Sequence, residues 1–191
     1  EAQAPEPQAN PDPVMLVGAM GGPEPVNDYD VRSDRVPIVA DRVHLQLLTA
    51  IGSPAPRFLA VRFPGIDAVG HRFLRYADPA AFGDVSEAER EKFGGVLSRY
   101  YSFIDTLVGR EIERLGPDDL LLVVSAFGME PLSPGKRVLE ILAGNPQISG
   151  THERAPDGSI LAFGASVAAG RPPRASVVDL APTILYFLGL P

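Results

Sequence analysis

Residues 119–125 read DLLLVVS and run on into Ala126-Phe127-Gly128. The unbroken apolar run from Leu120 to Val124 leaves no polar face. Such a segment suits a strand covered on both sides, as in a parallel sheet between helical layers. Just ahead of it, apolar residues recur every three or four positions at Phe93, Val96, Leu97, Tyr100, Ile104, Leu107, Val108, Ile112 and Leu115. That spacing predicts a long helix over residues 87–115. Ser86 and Glu89 form its capping box, Gly94-Gly95 is a weak point near its start, and Gly116-Pro117 closes it. Before the helix, residues 57–63 (RFLAVRF) read as a strand stopped by Pro64-Gly65. Strand, long helix and buried strand together predict two parallel strands joined by a right-handed crossover.

Outward from this unit the alternation continues. Residues 134–143 form a short helix with Ser133 as cap and Pro134 at the first position. Residues 159–163 (SILAF) are a third strand, entered through the turn residues Pro156-Asp157-Gly158. Residues 176–188 are a final helix in which Pro182 falls in the first turn and Asp179 is the cap. On the other side, residues 36–51 carry apolar residues at Val36, Val39, Val43, Leu47 and Ile51, a helical spacing ended by Gly52 and Pro54. Residues 14–20 (VMLVGAM) are a short strand. Residues 1–13 (EAQAPEPQANPDP) cannot build a packed face and read as an extended linker. The alternation is that of an α/β fold. The division is a Pro-rich linker or loop over 1–35 and a folded portion over 36–191. Three strands are few for so much helix, so the sheet is expected to be completed by chain outside this sequence.

The chain has 191 residues, a formal net charge of −7 and no cysteine. The length fits one domain. With no basic excess to neutralise phosphates, a nucleic-acid partner is not expected. Without cysteine, a metal must be held by His, Asp or Glu. No apolar run approaches the roughly 20 residues of a membrane span. No signal peptide is visible, and a start at Glu1 fits a processed or excised segment.

Three histidines are present, so their company matters. His71 follows Asp67 by four residues in PGIDAVGH, just past the RFLAVRF strand. Positions i and i+4 share a helix face, so the two side chains could converge on one ion. His152 lies in GTHERAPDG, a loop between helix and strand. One carboxylate and two imidazoles can hold Zn or a similar divalent ion with positions left open. Taken singly, an Asp-x-x-x-His pair is more often a surface pair or a cap, and a lone His152 means no more. His44, one turn from Asp41, reads as helix packing. Arg72 and Arg75 could meet a phosphate or simply form a solvated face.

The ordered set PGIDAVGH, YYSFIDTLVG, DLLLVVSAFG, GTHERAPDG and SVVDLAPTILYFLGLP resembles bacterial members of the alkaline phosphatase superfamily. Within it, the chain is most similar to the type I phosphodiesterase and nucleotide pyrophosphatase group. The likeness spans residues 36–191 and corresponds to the C-terminal part of that domain. It implies an incomplete three-layer sandwich with a mostly parallel sheet, and a two-metal phosphoester hydrolase. One metal falls to Asp67, His71 and His152, with Zn the first choice and Mn the second. The second metal takes an Asp-His dipeptide after a buried strand, plus an Asp and a hydroxyl nucleophile from the N-terminal half. Here that dipeptide is replaced by Ala126-Phe127, neither of which has a donor atom. Glu130 is the nearest carboxylate that could compensate, although a loop role suits it better. No Ser or Thr sits in a recognisable nucleophile turn, so no catalytic residue is assigned.

Three readings follow. The chain is part of a phosphoester hydrolase, or a degenerate relative that binds metal or an anion without turnover, or an interaction domain with a vestigial site. The expected partners are a small phosphorylated substrate or anion and the N-terminal half of the domain. The resemblance points to a periplasmic or extracellular location.

Overall fold

The computed structural model describes residues 35–50, 56–171 and 174–191. The linker read over residues 1–13, the strand over 14–20 and the helix stop at Gly52 and Pro54 lie outside them. The elements run α1 (Arg35–Ala50), α2 (Gly65–Ala77), a 3₁₀ turn (Pro79–Ala81), α3 (Glu87–Phe93) and α4 (Val96–Arg114). They continue with β1 (Leu121–Phe127), β2 (Glu130–Pro131), α5 (Pro134–Leu142), β3 (Gly150–Thr151) and β4 (Asp157–Phe163). A second 3₁₀ turn (Val177–Asp179) leads into α6 (Leu180–Phe187). The result is a mixed α/β structure.

Among the described residues the expected mostly parallel sheet is not formed, and this corrects the sequence expectation. β1 pairs antiparallel with β4, from Leu121 opposite Phe163 to Phe127 opposite Asp157. β2 pairs antiparallel with β3 through Glu130–Thr151 and Pro131–Gly150. Each sheet has two strands. An apolar run signals burial but not strand direction. Here the β2–α5–β3 excursion reverses the chain, so the return strand meets β1 head to tail. Residues 57–63 join no sheet and form no regular element. Side chains hold them instead. His44 Nδ1 donates to the Arg62 carbonyl at 2.6 Å, and the Arg57 guanidinium donates to the Leu188 carbonyl at 2.9 Å. The right-handed crossover between parallel strands is therefore absent from this region.

The predicted single helix over 87–115 is two helices. α3 keeps its capping box: Ser86 N–H donates to Glu89 Oε2 at 2.9 Å, and Glu89 N–H donates to Ser86 Oγ at 3.3 Å. The break falls at Gly94-Gly95. A Cβ on Gly94 would lie 3.3 Å from the Tyr76 carbonyl, so the missing side chain lets α3 close against the end of α2. At the C-terminus the capping box belongs to Ser176, whose N–H donates to Asp179 Oδ2 at 2.7 Å. α6 starts at Leu180, which places Pro182 in its first turn, where a missing N–H costs nothing.

The core lies between α2 and α4. Val69, Val96 and Tyr100 are buried together, with Ile66, Phe73, Phe93, Leu97, Phe103 and Ile104 packed around them. A charged residue is enclosed beside this core. Asp41 of α1 is 1% exposed and accepts from the Tyr100 hydroxyl at 2.6 Å. Both its oxygens also face the Gly65 N–H, at 3.0 and 3.1 Å. Pro64 has no side chain able to cap α2. A carboxylate from a distant helix caps it instead and meets the positive end of its dipole.

Burial raises the Asp41 carboxyl above its ordinary value of 3.8, against the opposing pull of Tyr100, Gly65 and His44. Burial and the same carboxylate push the Tyr100 hydroxyl up as well. A raised carboxyl binds its proton in the folded state before the unfolded state does. Asp41 therefore adds stability as the pH falls from its raised folded value towards about 3.9, and that gain disappears as the pH rises again. Glu89, lowered chiefly by its hydrogen bonds from Ser86, works the opposite way. The Asp41 effect must therefore be read by difference. Urea unfolding of wild type and Asp41→Asn between pH 7 and pH 4 is expected to show the wild type gaining on the variant as pH falls. A constant difference would contradict this.

Candidate metal centre

Helix α2 has two working faces. Ile66, Val69 and Phe73 turn to the core, while Asp67, His71 and Arg75 follow at four-residue intervals on another side. Helical i,i+4 spacing relates Asp67 and His71 in the sequence without predicting a helix here; the structure has one of thirteen residues. Asp67 sits in the first turn, where the helix dipole favours a carboxylate.

Opposite this face runs β3 with the loop that follows it, held close by two glycines and a serine. A Cβ on Gly70 or on Gly150 would intrude on the Met129 sulfur, so both positions form a socket for that side chain. Ser149 is fully buried. Its N–H donates to the His71 carbonyl at 2.6 Å. Its hydroxyl lies 3.1 and 3.0 Å from the carbonyls of His71 and Arg72, and accepts from the Arg75 N–H at 3.3 Å. The loop carrying His152 is tied down twice more. Glu130 Oε1 accepts from the Arg154 N–H at 2.7 Å, and Gly128 N–H donates to the Pro156 carbonyl at 2.9 Å. Glu130 is thus a loop fastener, as its sequence context suggested, and not a member of the centre.

These restraints bring Asp67, His71 and His152 together across 85 positions of chain. His152 Nε2 lies 2.8 Å from Asp67 Oδ1, and His71 Nε2 lies 3.7 Å from the same oxygen. One ligand atom from each residue falls within 4.8 Å of the others. The two rings stand edge to face with centroids 4.7 Å apart. Each imidazole points its other nitrogen at a backbone carbonyl. His71 Nδ1 faces the Gly150 carbonyl at 2.8 Å, and His152 Nδ1 faces the Gly128 carbonyl at 2.6 Å. A carbonyl can only accept, so both Nδ1 atoms carry the proton and both Nε2 atoms present their lone pairs when the rings are neutral. That is the tautomer a ligating histidine needs, fixed by an outer shell.

The His152 contacts also test the fit of a cation. Its two nitrogens each face an oxygen acceptor, and a neutral imidazole has one proton to give. A positive charge at the Nε2–Oδ1 contact satisfies both groups, whether a second ring proton or a metal ion. The three candidate donor atoms lie close enough together to share one ion, and Asp and His are donor types that zinc accepts. Side-chain exposures of 46% for Asp67, 30% for His71 and 25% for His152 leave an open side for water or another ligand. The donor set therefore fits a divalent ion.

The other sequence candidates fall elsewhere. His44 bonds to the Arg62 carbonyl, away from the triad. Arg72 is buried at 5% exposure, which corrects the solvated-face reading for that residue. Arg75 pairs with Asp84 at 3.4 Å, and Arg137 of α5 reaches the same carboxylate at 2.6 Å. That shared Asp84 fastens α2 to α5. At the end of β1, Ala126 offers no donor. The Phe127 ring packs on His152 with centroids 4.5 Å apart.

A family model described as type I phosphodiesterase / nucleotide pyrophosphatase matches residues 24–175. The chain belongs to that family. No curated protein and no solved structure matches it. Membership agrees with the ordered motifs read from the sequence, and the matched region contains all three residues of the triad. The family supports a phosphoester-hydrolase-like role at the level of class. No helix among the described residues is long and apolar enough to cross a membrane.

Proposed function

We propose that this chain is the portion of a phosphodiesterase-like domain that binds one divalent metal ion, and that the centre as written binds without turnover. The observation that carries the reading is the convergence of Asp67, His71 and His152, with both Nδ1 atoms committed to backbone carbonyls. Asp67, His71 and His152 would hold the ion, Zn first and Mn second. Bound there, it would polarise a phosphoryl oxygen as a Lewis acid. The backbone carbonyls of Gly150 and Gly128 orient the rings, and Asp67 supplies the single negative charge.

The specific observation favouring binding over catalysis is Ala126-Phe127, where the family resemblance calls for an Asp-His pair. Two ions about 3.5–4 Å apart clamp the attacking and leaving oxygens of an in-line displacement, and a hydroxyl nucleophile is weak until activated. Neither side chain at this strand end can hold a second ion. A three-layer sandwich completed by the rest of the domain, with the antiparallel β1–β4 pair as part of its sheet, belongs to the same proposal. Phe58, Leu59, Val61, Val124 and Leu161 are exposed, and such a sandwich would cover them. A small phosphorylated anion as ligand, the N-terminal half of the domain as partner and a periplasmic or extracellular location complete the reading.

The test combines metal content with turnover. The purified chain is expected to bind one equivalent of Zn while releasing nitrophenol from aryl phosphate mono- and diesters no faster than metal alone. Robust turnover abolished by His71→Ala would overturn the non-catalytic reading. Failure to bind metal would overturn the centre itself.

A further inference from the structure

We infer that Met129 is a redox-sensitive modification site: its thioether positions the backbone that orients both histidines, and oxygen transfer to its sulfur loosens the metal centre. The inference rests on the metal reading above and names a regulation of that same site. A half-buried methionine means little by itself, since the flexible thioether is an ordinary filler of gaps. The neighbours of this one set it apart. Its side chain lies against Gly70 and Gly150, where an added Cβ would fall 2.7 and 2.5 Å from the sulfur. Gly70 directly precedes His71, and the Gly150 carbonyl accepts from His71 Nδ1 at 2.8 Å. The residues on either side of Met129 serve the other ring. Gly128 supplies the carbonyl that accepts from His152 Nδ1 at 2.6 Å. Glu130 pairs with Thr151, beside His152, and accepts from the Arg154 N–H at 2.7 Å. One side chain therefore joins the two stretches of backbone that fix the two imidazoles.

The chemistry of the chain directs an oxidant to this sulfur. There is no cysteine, and three methionines are present. Met129 is only partly covered, so a small hydroperoxide can reach it. With hydrogen peroxide, a sulfur lone pair attacks one peroxide oxygen, and an S–O bond forms as the O–O bond breaks. The proton on the transferred oxygen passes to the leaving hydroxide, which departs as water. Sulfur gives up two electrons and the peroxide takes them. The product is a polar, chiral sulfoxide in place of an apolar side chain. An oxygen added to a sulfur this close to two glycines has to push one of them aside, so α2 shifts against β3. His71 rides on α2, and the carbonyl that orients its ring lies on β3. Both rings then lose the fixed Nδ1 anchors that present Nε2 to the ion.

The test treats the metal-free chain with hydrogen peroxide, removes the oxidant, and measures Zn affinity by competition with a chromogenic chelator. Mass spectrometry of the Met129 peptide confirms the added oxygen. Disturbing an outer shell typically costs 10–100-fold in metal affinity, and a loss of about that size is expected in oxidised wild type. Met129→Leu conserves volume and offers no sulfur, while it keeps Met15 and Met20 as oxidisable controls. It is expected to bind Zn like untreated wild type, before and after peroxide. A second readout follows the tautomers directly. In ¹⁵N spectra of the imidazoles, His71 and His152 are expected to lose their single Nδ1-protonated form on oxidation, while His44 keeps its own signal. Unchanged affinity in wild type carrying the Met129 sulfoxide, failure of peroxide to oxidise Met129, or an equal loss in peroxide-treated Met129→Leu would overturn the inference and leave the metal centre standing. No Zn binding by untreated wild type would sink the metal reading and this inference with it.

Discussion

Replacing His152 with alanine is expected to lower the affinity for a divalent ion by more than about a hundredfold. Removal of an outer-shell partner typically costs 10–100-fold in metal affinity, and loss of a ligand should exceed that. His152 is the contributor from outside α2. Without it, Asp67 and His71 are an i,i+4 pair at a helix surface, the arrangement that ordinarily means nothing more than a surface contact. His152 also makes the shorter contact with the shared oxygen, 2.8 Å against 3.7 Å for His71. Competition with a chromogenic chelator measures the effect. His44→Ala is the matched control, because that ring bonds to the Arg62 carbonyl and should leave metal affinity as it was. Wild-type affinity in His152→Ala would show that the ion, if bound, sits elsewhere. A loss of equal size in His44→Ala would mean that the assay was reading folding.

The second large effect is expected at Gly65→Ala. Gly65 opens α2, and a Cβ there would run into the Tyr100 hydroxyl and Asp41 Oδ2. Both are buried, so neither can swing into water. The new methyl group must either displace Tyr100 from the core or push Asp41 off the helix end. Either leaves a buried polar group without its partner, which costs about 1–3 kcal/mol and more when the group is charged. Breaking a buried charged arrangement by disturbing one side costs about 3–5 kcal/mol. A loss of about 2–4 kcal/mol in denaturant unfolding is therefore expected. Gly109→Ala makes the comparison fair. Gly109 lies inside α4, and a Cβ there meets nothing within 4 Å. That variant should be neutral or more stable by up to about 1 kcal/mol, as helix propensity favours alanine over glycine. If Gly65→Ala is as harmless as Gly109→Ala, the Asp41 cap does not hold α2 in place.

Both effects bear on how the site was legible. Asp67 and His71 could be paired from spacing alone, because a helix puts i and i+4 on one face whatever surrounds it. His152 could be joined to them only through the ordered family motifs, since no local rule relates residues 85 positions apart. The parts that position the site were not readable at all. Ser149, Gly70, Met129 and the short β2–β3 ribbon carry no local signal that separates them from ordinary loop residues. Their meaning lies in what they touch. The buried Asp41 looked like one more polar residue on α1 until the turn at Gly65 placed a helix end against it.

The sequence by itself determined the local elements and the chemistry on offer. Periodicity, caps and glycine breaks specify α1, the α3–α4 stretch, α5 and the strands β1 and β4, because these depend on neighbours within a few residues. The residue types at the end of β1 exclude metal ligation by Ala126 and Phe127, because a side chain without a donor atom cannot acquire one by folding. Only the tertiary structure decided strand direction, the fate of residues 57–63 and the convergence of the triad. An apolar run is equally content in a parallel or an antiparallel pair. The choice rests on which edge the chain's own path brings alongside, and here the β2–α5–β3 reversal brings β4 antiparallel to β1. The tautomers of the two histidines were settled in the same way, by the Gly128 and Gly150 carbonyls that only the folded backbone aims at the rings.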